Sequence, residues 1–420
     1  MTEKVTAIVL AAGKGVRMKS HLAKVLHEVS GRPLVYHVLQ QLVGLKKHIG
    51  QIIVVVGYQA KLVEKEIKKY FPGVQCVYQK KLLGTADALR CVKDRVRHDK
   101  VLILCGDVPL VKRSTLASII SSVNKKKSSC CVVSASKDEK NSLGRIIRDS
   151  KGRVKAIREA IELGAGADYR EVNSGIYLFD RKTLFSNLGK ITKNKKKGEY
   201  YLTDIIEILY NQGIAVDSYM LESDEEILGI NTQKDLHLAE KIMRSRLLEQ
   251  YIDKGVRIID PETTFIEEGV KIGKNTVIFP FTFIGKGAII GANCFLGPFI
   301  HVRGNSRVNN NTHLGNYVEV NRSVIGKNVK MKHFGYLGDT SVEDDVNIGA
   351  GTVVANYDGK RKYKTHIGKE AFIGSDTILV APVKVGKKAA TGAGCVVTKD
   401  VKAGTVVVGV PAKVLKRRKG

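Results

Sequence analysis

Leu10, Ala11, Ala12 and Gly13 close an apolar run, and two cations, Arg17 and Lys24, follow shortly after. Small side chains at the end of a buried strand let backbone N–H groups approach a phosphate or a base, and fixed positive charge beside them suits a polyphosphate. A Gly-x-Gly often only makes a turn; the strand before it and the two cations give this one chemical meaning. Gln79, with Leu83, Gly84 and Thr85, is expected at the same sheet edge. Asp107 falls just past the strand-like run VLILC, where open α/β sheets bind ligands, although an aspartate there also serves as a plain turn or cap residue. Asn231 follows another short strand, in GINT. An aspartate and an asparagine with several open positions suit Mg²⁺, which keeps water and phosphate oxygens in its shell. Far downstream, His333 stands in KHFGYLGD, although a lone histidine in a polar stretch is more often a surface or packing residue.

Two kinds of architecture must position these residues. Residues 1 to about 230 alternate strand-like runs (TAIVLAA, QIIVVVGY, QCVYQ, VLILC) with helix-like ones such as KLVEKEIKKYF, which predicts a mostly parallel α/β sheet covered by helices. A charged helical pattern from Lys234 to Tyr251 reads as a connector. Beyond it an apolar residue recurs every sixth position: Ile272, Ile278, Ile284, Ile290, Leu296, Val302, Val308, Leu314, Val320. The series slips by one and resumes at Ile325, Met331 and Leu337; a second register runs Ile367, Ile373, Leu379, Val385 and, after Thr391, Val397. Six is neither a helical nor a simple strand period. Three short strands per turn around a prism, the hexapeptide β-helix, stack every such residue inside. The expected divisions are 1–230, a linker helix at 231–252, and a β-helix at 253–420 ending in a solvated basic tail, KVLKRRKG. NYDGKRKYKT (356–365) is too polar for a coil and reads as a projecting loop, where a site or an interface is expected.

Composition narrows the function classes. The chain has 420 residues, 43% hydrophobic and 26% charged, as in ordinary globular proteins of two or three domains. Its seven cysteines show no metal-ligand spacing and read as reduced thiols. A net charge of +29 tempts one toward nucleic acid, but the basic runs (125–127, 195–197, 416–419) are scattered and lack interleaved aromatics. Anionic small substrates are the expected partners, with no nucleic acid. The N-terminal apolar run is too short for a signal peptide and no stretch approaches bilayer length, so a cytoplasmic protein without membrane insertion is expected.

LAAGKGVRMKSHLAKVLHEVSGRPL, GTADA, GDVPL, EVNSGIY, GEYYLTD and GINT resemble the sugar-phosphate nucleotidyltransferases. Together with the solenoid, nearly the whole chain resembles the bifunctional N-acetylglucosamine-1-phosphate uridyltransferase/glucosamine-1-phosphate N-acetyltransferase family. The fold this implies is an α/β nucleotidyltransferase with a Rossmann-like mixed sheet, followed by a left-handed parallel β-helix. The resemblance implies that Leu10 to Gly13, Lys24, Gln79, Gly84, Thr85, Cys105, Gly106 and Asp107 hold UTP, with Gln79 reading the uracil. It further implies that Gly144, Glu159 and Asn173 hold the N-acetylglucosamine moiety and that Asp107 and Asn231 bind Mg²⁺. Arg17 and Lys24 would neutralise charge while the sugar 1-phosphate attacks the α-phosphorus of UTP.

For the second half the family pattern implies His333 as general base toward the glucosamine amine. Arg303, Tyr336, Asn347 and Lys362 would hold glucosamine 1-phosphate; Ala350, Asn356, Tyr357, Ser375 and Ala393 would line the acetyl-CoA path. Homotrimers with sites between subunits are the usual assembly. The chain departs from the pattern at five places. Val16 replaces a hydroxyl residue, and Ala23 a proline, a change expected to loosen the segment that presents Lys24. Lys332 replaces a glycine beside His333, Asn321 a lysine facing the sugar phosphate, with Arg322 next to it, and Val410 an arginine near the CoA end, where Lys413, Lys416 and Arg417 are nearby cations. Rival readings are a monofunctional nucleotidyltransferase with a purely structural β-helix and a non-catalytic regulatory subunit.

Overall fold

Apolar runs too short for helices but rich in Val and Ile become the centre of a sheet in the computed structural model, which describes residues 4–417 apart from 127, 138–140, 142, 160–169 and 195–197. Parts of the basic runs (127, 195–197, 418–419) therefore lie outside the described residues. The chain divides into two units, Met1–Glu240 and Lys241–Gly420. Among the described residues no helix is long and apolar enough to cross a membrane.

In the first unit, β1 (Val5–Ala11) is central, flanked in parallel by β2 (Ile49–Val56) and β4 (Lys100–Cys105), with β3 (Gln75–Tyr78) parallel outside β2. The long β8 (Glu171–Asp180) runs antiparallel between β4 and β5 (Cys130–Ser136), which makes the sheet mixed. A hairpin of β6 (Arg145–Arg148) and β7 (Val154–Arg158) leans on β8. Both faces are covered: α1 (Leu34–Val43) buries Leu34, Val35, Val38, Leu39 and Leu42, the spacing of one helical stripe. The C-terminal ends of β1 and β4 are thus held rigidly side by side, and this edge carries the first set of functional residues.

In the second unit three sheets of ten, eight and seven described strands, parallel except for the last strand of the first, form the faces of a prism, the repeated short strands of a left-handed β-helix. Each ladder residue from Ile278 to Val320 is 2% exposed or less, as are Ile325, Met331, Leu337, Ile367, Ile373, Leu379, Val385 and Val397. Burying a branched side chain of this size contributes about 1.5–3 kcal/mol. Corners are turned by residues in the left-handed region, and each edge of the prism stacks its own chemistry. One edge carries Phe281, Phe299 and Tyr317, at φ 57°, 53° and 55°, with ring centroids 4.7 and 4.9 Å apart. A second carries an amide ladder, Asn293, Asn311, Asn328 and Asp345.

The third edge is irregular. Paired strands are eighteen residues apart at Phe295 and His313, seventeen at Lys330 and Asn347, and twenty-five at Asn347 and Phe372. The shortening occurs at Asn321–Ser323, as the ladder indicates, and again between Leu337 and Val342, a second slip that the ladder did not reveal. The insertion follows Ala355, where Thr352–Ala355 ends, and closes at Thr365. Both deletions and the insertion fall on the same edge, so the interior ladder is undisturbed while that edge is reshaped.

The first coil opens at Arg257–Ile258, paired with Val277–Ile278. One local expectation is corrected. The C-terminal segment is not a free tail: Lys413–Arg417 pairs antiparallel with Thr405–Val408. Charged residues hid a strand there, and lysines on an outer strand are a usual guard against edge-to-edge association.

Candidate active sites

The ends of β1 and β4 open on a cleft of ≈ 450 Å³ lined by Leu10, Ala11, Ala12, Gly13, Lys24, Gln79, Gly84, Thr85, Cys105 and Asp107, all expected there. Gly106 is tied to the same floor, its N–H donating to the Leu10 carbonyl at 2.9 Å. Lys24 lies against Asp107, both side chains only 15% exposed. Its ammonium also donates to Asn231 Oδ1 at 3.2 Å, and Arg17 Nη2 donates to that same oxygen at 2.9 Å. Asn231 is fixed from behind: Asp235 accepts the N–H groups of Asn231 and Thr232 at 2.9 and 2.8 Å, and the Ile230 N–H reaches the Asp107 carbonyl at 2.9 Å. Two side-chain oxygens distant in sequence therefore converge on one cation, and a cation is what the pair fits. Among the described residues no group of three or more His, Cys, Asp or Glu could hold a metal alone. The two oxygens would need water and phosphate to complete a shell, the usual arrangement for Mg²⁺.

Glycines are required here by close approach. Gly15, at φ +70°, passes under Lys24, whose Cβ would be 2.6 Å from a Cβ at position 15. At Gly84, φ is +100° and an added Cβ would meet the Tyr200 carbonyl oxygen and nitrogen at 2.6 and 2.8 Å. The backbone of Tyr200 bonds to Leu83 and Ala86, and Thr85 Oγ1 accepts the Leu202 N–H at 2.9 Å. GTADA and GEYYLTD are thus two halves of one contact, which also brings Glu199 and Tyr201 into the cleft lining. The buried Gln79 amide donates to the Gly84 carbonyl (3.1 Å) and Asp87 (2.8 Å), which sets its orientation.

The segment presenting Lys24 is not loosened by Ala23. Its N–H, which a proline would lack, donates to Gln59 Oε1 at 2.8 Å, and Gln59 Nε2 donates to the His21 carbonyl at 2.9 Å. Val16 lines the cleft and is 75% exposed. All seven cysteines are free, and burial, aided by the Asp107 charge, pushes the Cys105 thiol up to about 12, so it lines the cleft as a neutral group.

Gly144, Glu159 and Asn173 stand together, outside the cleft lining. Gly144 and Glu159 flank the Arg145–Arg158 pair, and the Gly144 carbonyl accepts the Asn173 N–H at 2.8 Å. The buried Asn173 amide donates to Tyr177 at 2.7 Å, and burial holds that phenol well above its ordinary value. Residues Lys14, Gly15, Val16, Val25, Leu82, Ala88, Glu199 and Tyr201 complete the cleft without having been singled out as site residues; only the motifs around them signalled it.

In the second unit one rung, residues 333–339, crosses a whole face. His333 is at the aromatic edge, exposed, with no hydrogen-bond partner among the described residues. Tyr336 is mid-face beside Glu319, and Glu319 pairs with Arg303 at 2.6 Å. Asp339 is at the irregular edge. His333, Ala350, Ser375 and Ala393 occupy the same edge on successive coils, through Gly351 N–H to Phe334, Asp376 N–H to Ala350 and Gly394 N–H to Ser375. Below His333 this edge is aromatic; above it only small residues and Asp376 follow, leaving a smooth track. Asn356 is buried at the base of the loop, whereas Tyr357 and Lys362, bridged to each other, are exposed on it. Asn347 is not brought beside Tyr336: it belongs to the adjoining face, between Lys330 and Phe372. Asn321 is 8% exposed and turned to Tyr336, and Val410 is 72% exposed.

Family models match the chain in three places: a MobA-like NTP transferase domain at 7–194, bacterial transferase hexapeptide repeats at 269–299 and 287–322, and the hexapeptide repeat of succinyl-transferase at 364–399. The bifunctional protein GlmU of Heliobacterium modesticaldum is 39% identical, the match covering 96% of this chain and 95% of that one. That of Geobacillus thermodenitrificans is 38% identical, with 96% and 95% covered. That of Listeria monocytogenes is 36% identical, with 94% and 93% covered.

Proposed function

The chain belongs to the family of the bifunctional GlmU proteins, and on that premise we propose that it makes UDP-N-acetylglucosamine in two steps. The second unit acetylates glucosamine 1-phosphate with acetyl-CoA; the first joins the N-acetylglucosamine 1-phosphate to the uridylyl group of UTP and releases pyrophosphate. The observation that carries the reading is the convergence of Asp107 and Asn231 on one cation beside a glycine turn, in a chain whose other half sets His333 at the foot of a smooth edge.

In uridylyl transfer no protein nucleophile is needed. Backbone N–H groups at Ala11 to Gly13 take the triphosphate, and Gln79, its amide nitrogen already committed, leaves its Oε1 for the uracil N3–H. Asp107 and Asn231 would hold Mg²⁺, which supplies charge neutralisation between the phosphates when bound. Lys24 and Arg17 neutralise the rest, and Gly144, Glu159 and Asn173 hold the acetylamino sugar. The sugar phosphate oxygen attacks the α-phosphorus in line, the bond to the β-phosphate oxygen breaks, and positioning with charge supplies the rate.

In acetyl transfer His333 takes a proton from the glucosamine amine as its nitrogen attacks the thioester carbonyl; the C–S bond breaks and the thiolate leaves as the CoA thiol. Arg303, Tyr336 and Lys362 hold the sugar phosphate on one face, with Ala350, Ser375 and Ala393 as the CoA track. Asn347 is on the adjoining face, so a second copy of the chain would supply it to each site. The exposed edge of Phe281, Phe299, Tyr317 and Phe334 (53%, 43%, 59% and 52%) offers apolar surface for such a homotrimer. Asn321 and Val410 remove fixed charge, so weakened substrate binding is expected in this half first. The test supplies glucosamine 1-phosphate, acetyl-CoA, UTP and Mg²⁺ together and reads UDP-N-acetylglucosamine. With N-acetylglucosamine 1-phosphate and no acetyl-CoA, product must still form; absence of product in both mixtures contradicts the reading.

A further inference from the structure

Arg322, Asp339 and Asn356 are seventeen residues apart in turn, one per coil, and stack on the irregular edge. The two oxygens of Asp339 accept Arg322 Nε and Nη2, each at 2.7 Å, and Oδ2 also accepts Asn356 Nδ2 at 2.5 Å. A bidentate guanidinium pair of this kind is among the stronger side-chain contacts, and here the carboxylate is only 15% exposed. The backbone of Asp339 adds two links: its N–H donates to the Asn321 carbonyl (3.0 Å), and its carbonyl accepts the Thr365 N–H (3.3 Å). Asn356 opens the insertion and Thr365 follows its close, so one residue grips both ends of the loop. The loop is pinched above that grip by the Tyr363 N–H on the Asn356 carbonyl at 2.8 Å. On the other side, Arg322 Nη1 donates to Asn321 Oδ1 at 3.0 Å, and the Asn321 amide faces the Tyr336 hydroxyl at 3.5 Å. A continuous chain of polar groups therefore runs from Tyr336 on the face to the base of the loop that bears Tyr357 and Lys362.

We propose that Asp339 is a positioning residue for acetyl transfer: it fastens the 356–364 loop to the rung that carries His333 and Tyr336, so that Lys362 meets the sugar phosphate in a preset place. This rests on the acetyltransferase reading given above. Two features of the edge support it beyond the contacts themselves. Both one-residue deletions fall at Arg322 and Asp339, which shortens the two coils below the loop and leaves the spacing that aligns the three side chains. All three nitrogens of the Arg322 guanidinium donate to Asp339 or Asn321, so this cation is committed to the fastening and does not stand in for the one missing at Asn321.

The loop contains Lys360, Arg361, Lys362 and Lys364, four trypsin sites, so its fastening can be read without any catalysis. Asp339→Asn keeps the shape and removes the charge; trypsin cleavage within the loop is expected to quicken about tenfold, the scale of one charge-assisted hydrogen bond. In the full-length protein the KM for glucosamine 1-phosphate is expected to rise about tenfold and kcat to stay within about twofold, while the KM for acetyl-CoA, whose path the same loop borders at Asn356 and Tyr357, rises by less. Uridylyl transfer should be unchanged, which certifies the fold of the first unit. The exchange Asp339→Asn with Asn356→Asp restores a carboxylate–amide bond between the same two coils and should return loop protection most of the way. Unaltered cleavage and unaltered KM in Asp339→Asn overturn the proposal. So does an equal loss in kcat and both KM values accompanied by early melting of the β-helix, the mark of a merely structural role. An unsubstituted protein that acetylates nothing refutes the acetyltransferase reading instead, and the protease rates still decide the fastening.

Discussion

Lys24→Met keeps the length of the side chain and removes the cation that Asp107 and Asn231 share. Both Lys24 and Asp107 are 15% exposed, so the orphaned carboxylate stays largely away from water. Breaking a fully buried pair from one side costs about 3–5 kcal/mol; with some solvent and Arg17 nearby, about 1–3 kcal/mol is the reasonable share here. For a unit of this size that is a fall of roughly 3–10 °C in melting temperature. Mg²⁺ then gives the two readings different outcomes. In the unsubstituted protein the metal must displace an ammonium already in place, so millimolar Mg²⁺ without nucleotide should move melting little. In Lys24→Met the Asp107 carboxylate loses its ammonium and Asn231 Oδ1 keeps only Arg17, and Mg²⁺ at about a hundred times its Kd would return about 2.7 kcal/mol. Uridylyl transfer should nevertheless fall about 10²–10³-fold, since a preset phosphate cation is lost. Differential scanning calorimetry with and without Mg²⁺ is the assay. Equal Mg²⁺ shifts in the two proteins, or none in either, would refute the idea that Lys24 stands where the divalent cation goes.

Three further outcomes follow from close contacts and charge. Gly84→Ala places a Cβ against the Tyr200 backbone at a strained φ of +100°, so uridylyl transfer should collapse with acetyl transfer retained, and the first unit should melt earlier by an amount matching about 1–3 kcal/mol. Gly315→Ala drives a Cβ into the Lys332 carbonyl, one coil below His333; acetyl transfer should fall while uridylyl transfer persists, in separate assays of each half. Hydrogen bonds from Arg322 hold the Asp339 carboxyl below its ordinary value against the opposing effect of burial, with Asn356 assisting. A depressed carboxyl stabilises the fold above its unfolded value and loses that contribution as pH falls, so melting of the β-helix below about pH 4 should drop more steeply in the unsubstituted protein than in Asp339→Asn.

The six-residue ladder was legible because the residue at every sixth position is apolar, with Thr391 the exception in the second register, while the outward ones vary freely, and burial from Ile278 to Val397 follows it. The cleft was legible where small residues and charges sit at strand ends, as at Leu10 to Gly13 and Asp107. What escaped is contact between segments distant in sequence. Gln59 holding the Ala23 N–H has no local pattern, and so a missing proline read as a loosened segment. The second slip, between Leu337 and Val342, lies where the ladder was left to resume only after the loop. Without it the seventeen-residue spacing of Arg322, Asp339 and Asn356 does not stand out from an eighteen-residue repeat. The last strand, Lys413–Arg417, was hidden by its charge, because solvated lysines mark a tail and an edge strand alike.

Each chain carries residues of two separate reaction sites whose chemistry is independent, the second drawing Asn347 from a neighbouring copy. The most direct measurement assays both reactions on His333→Ala. Acetyl transfer is expected to be lost while uridylyl transfer from UTP to N-acetylglucosamine 1-phosphate stays at the unsubstituted rate. Acetyl transfer that survives the substitution, or a parallel loss of both activities in a protein that melts normally, would contradict it.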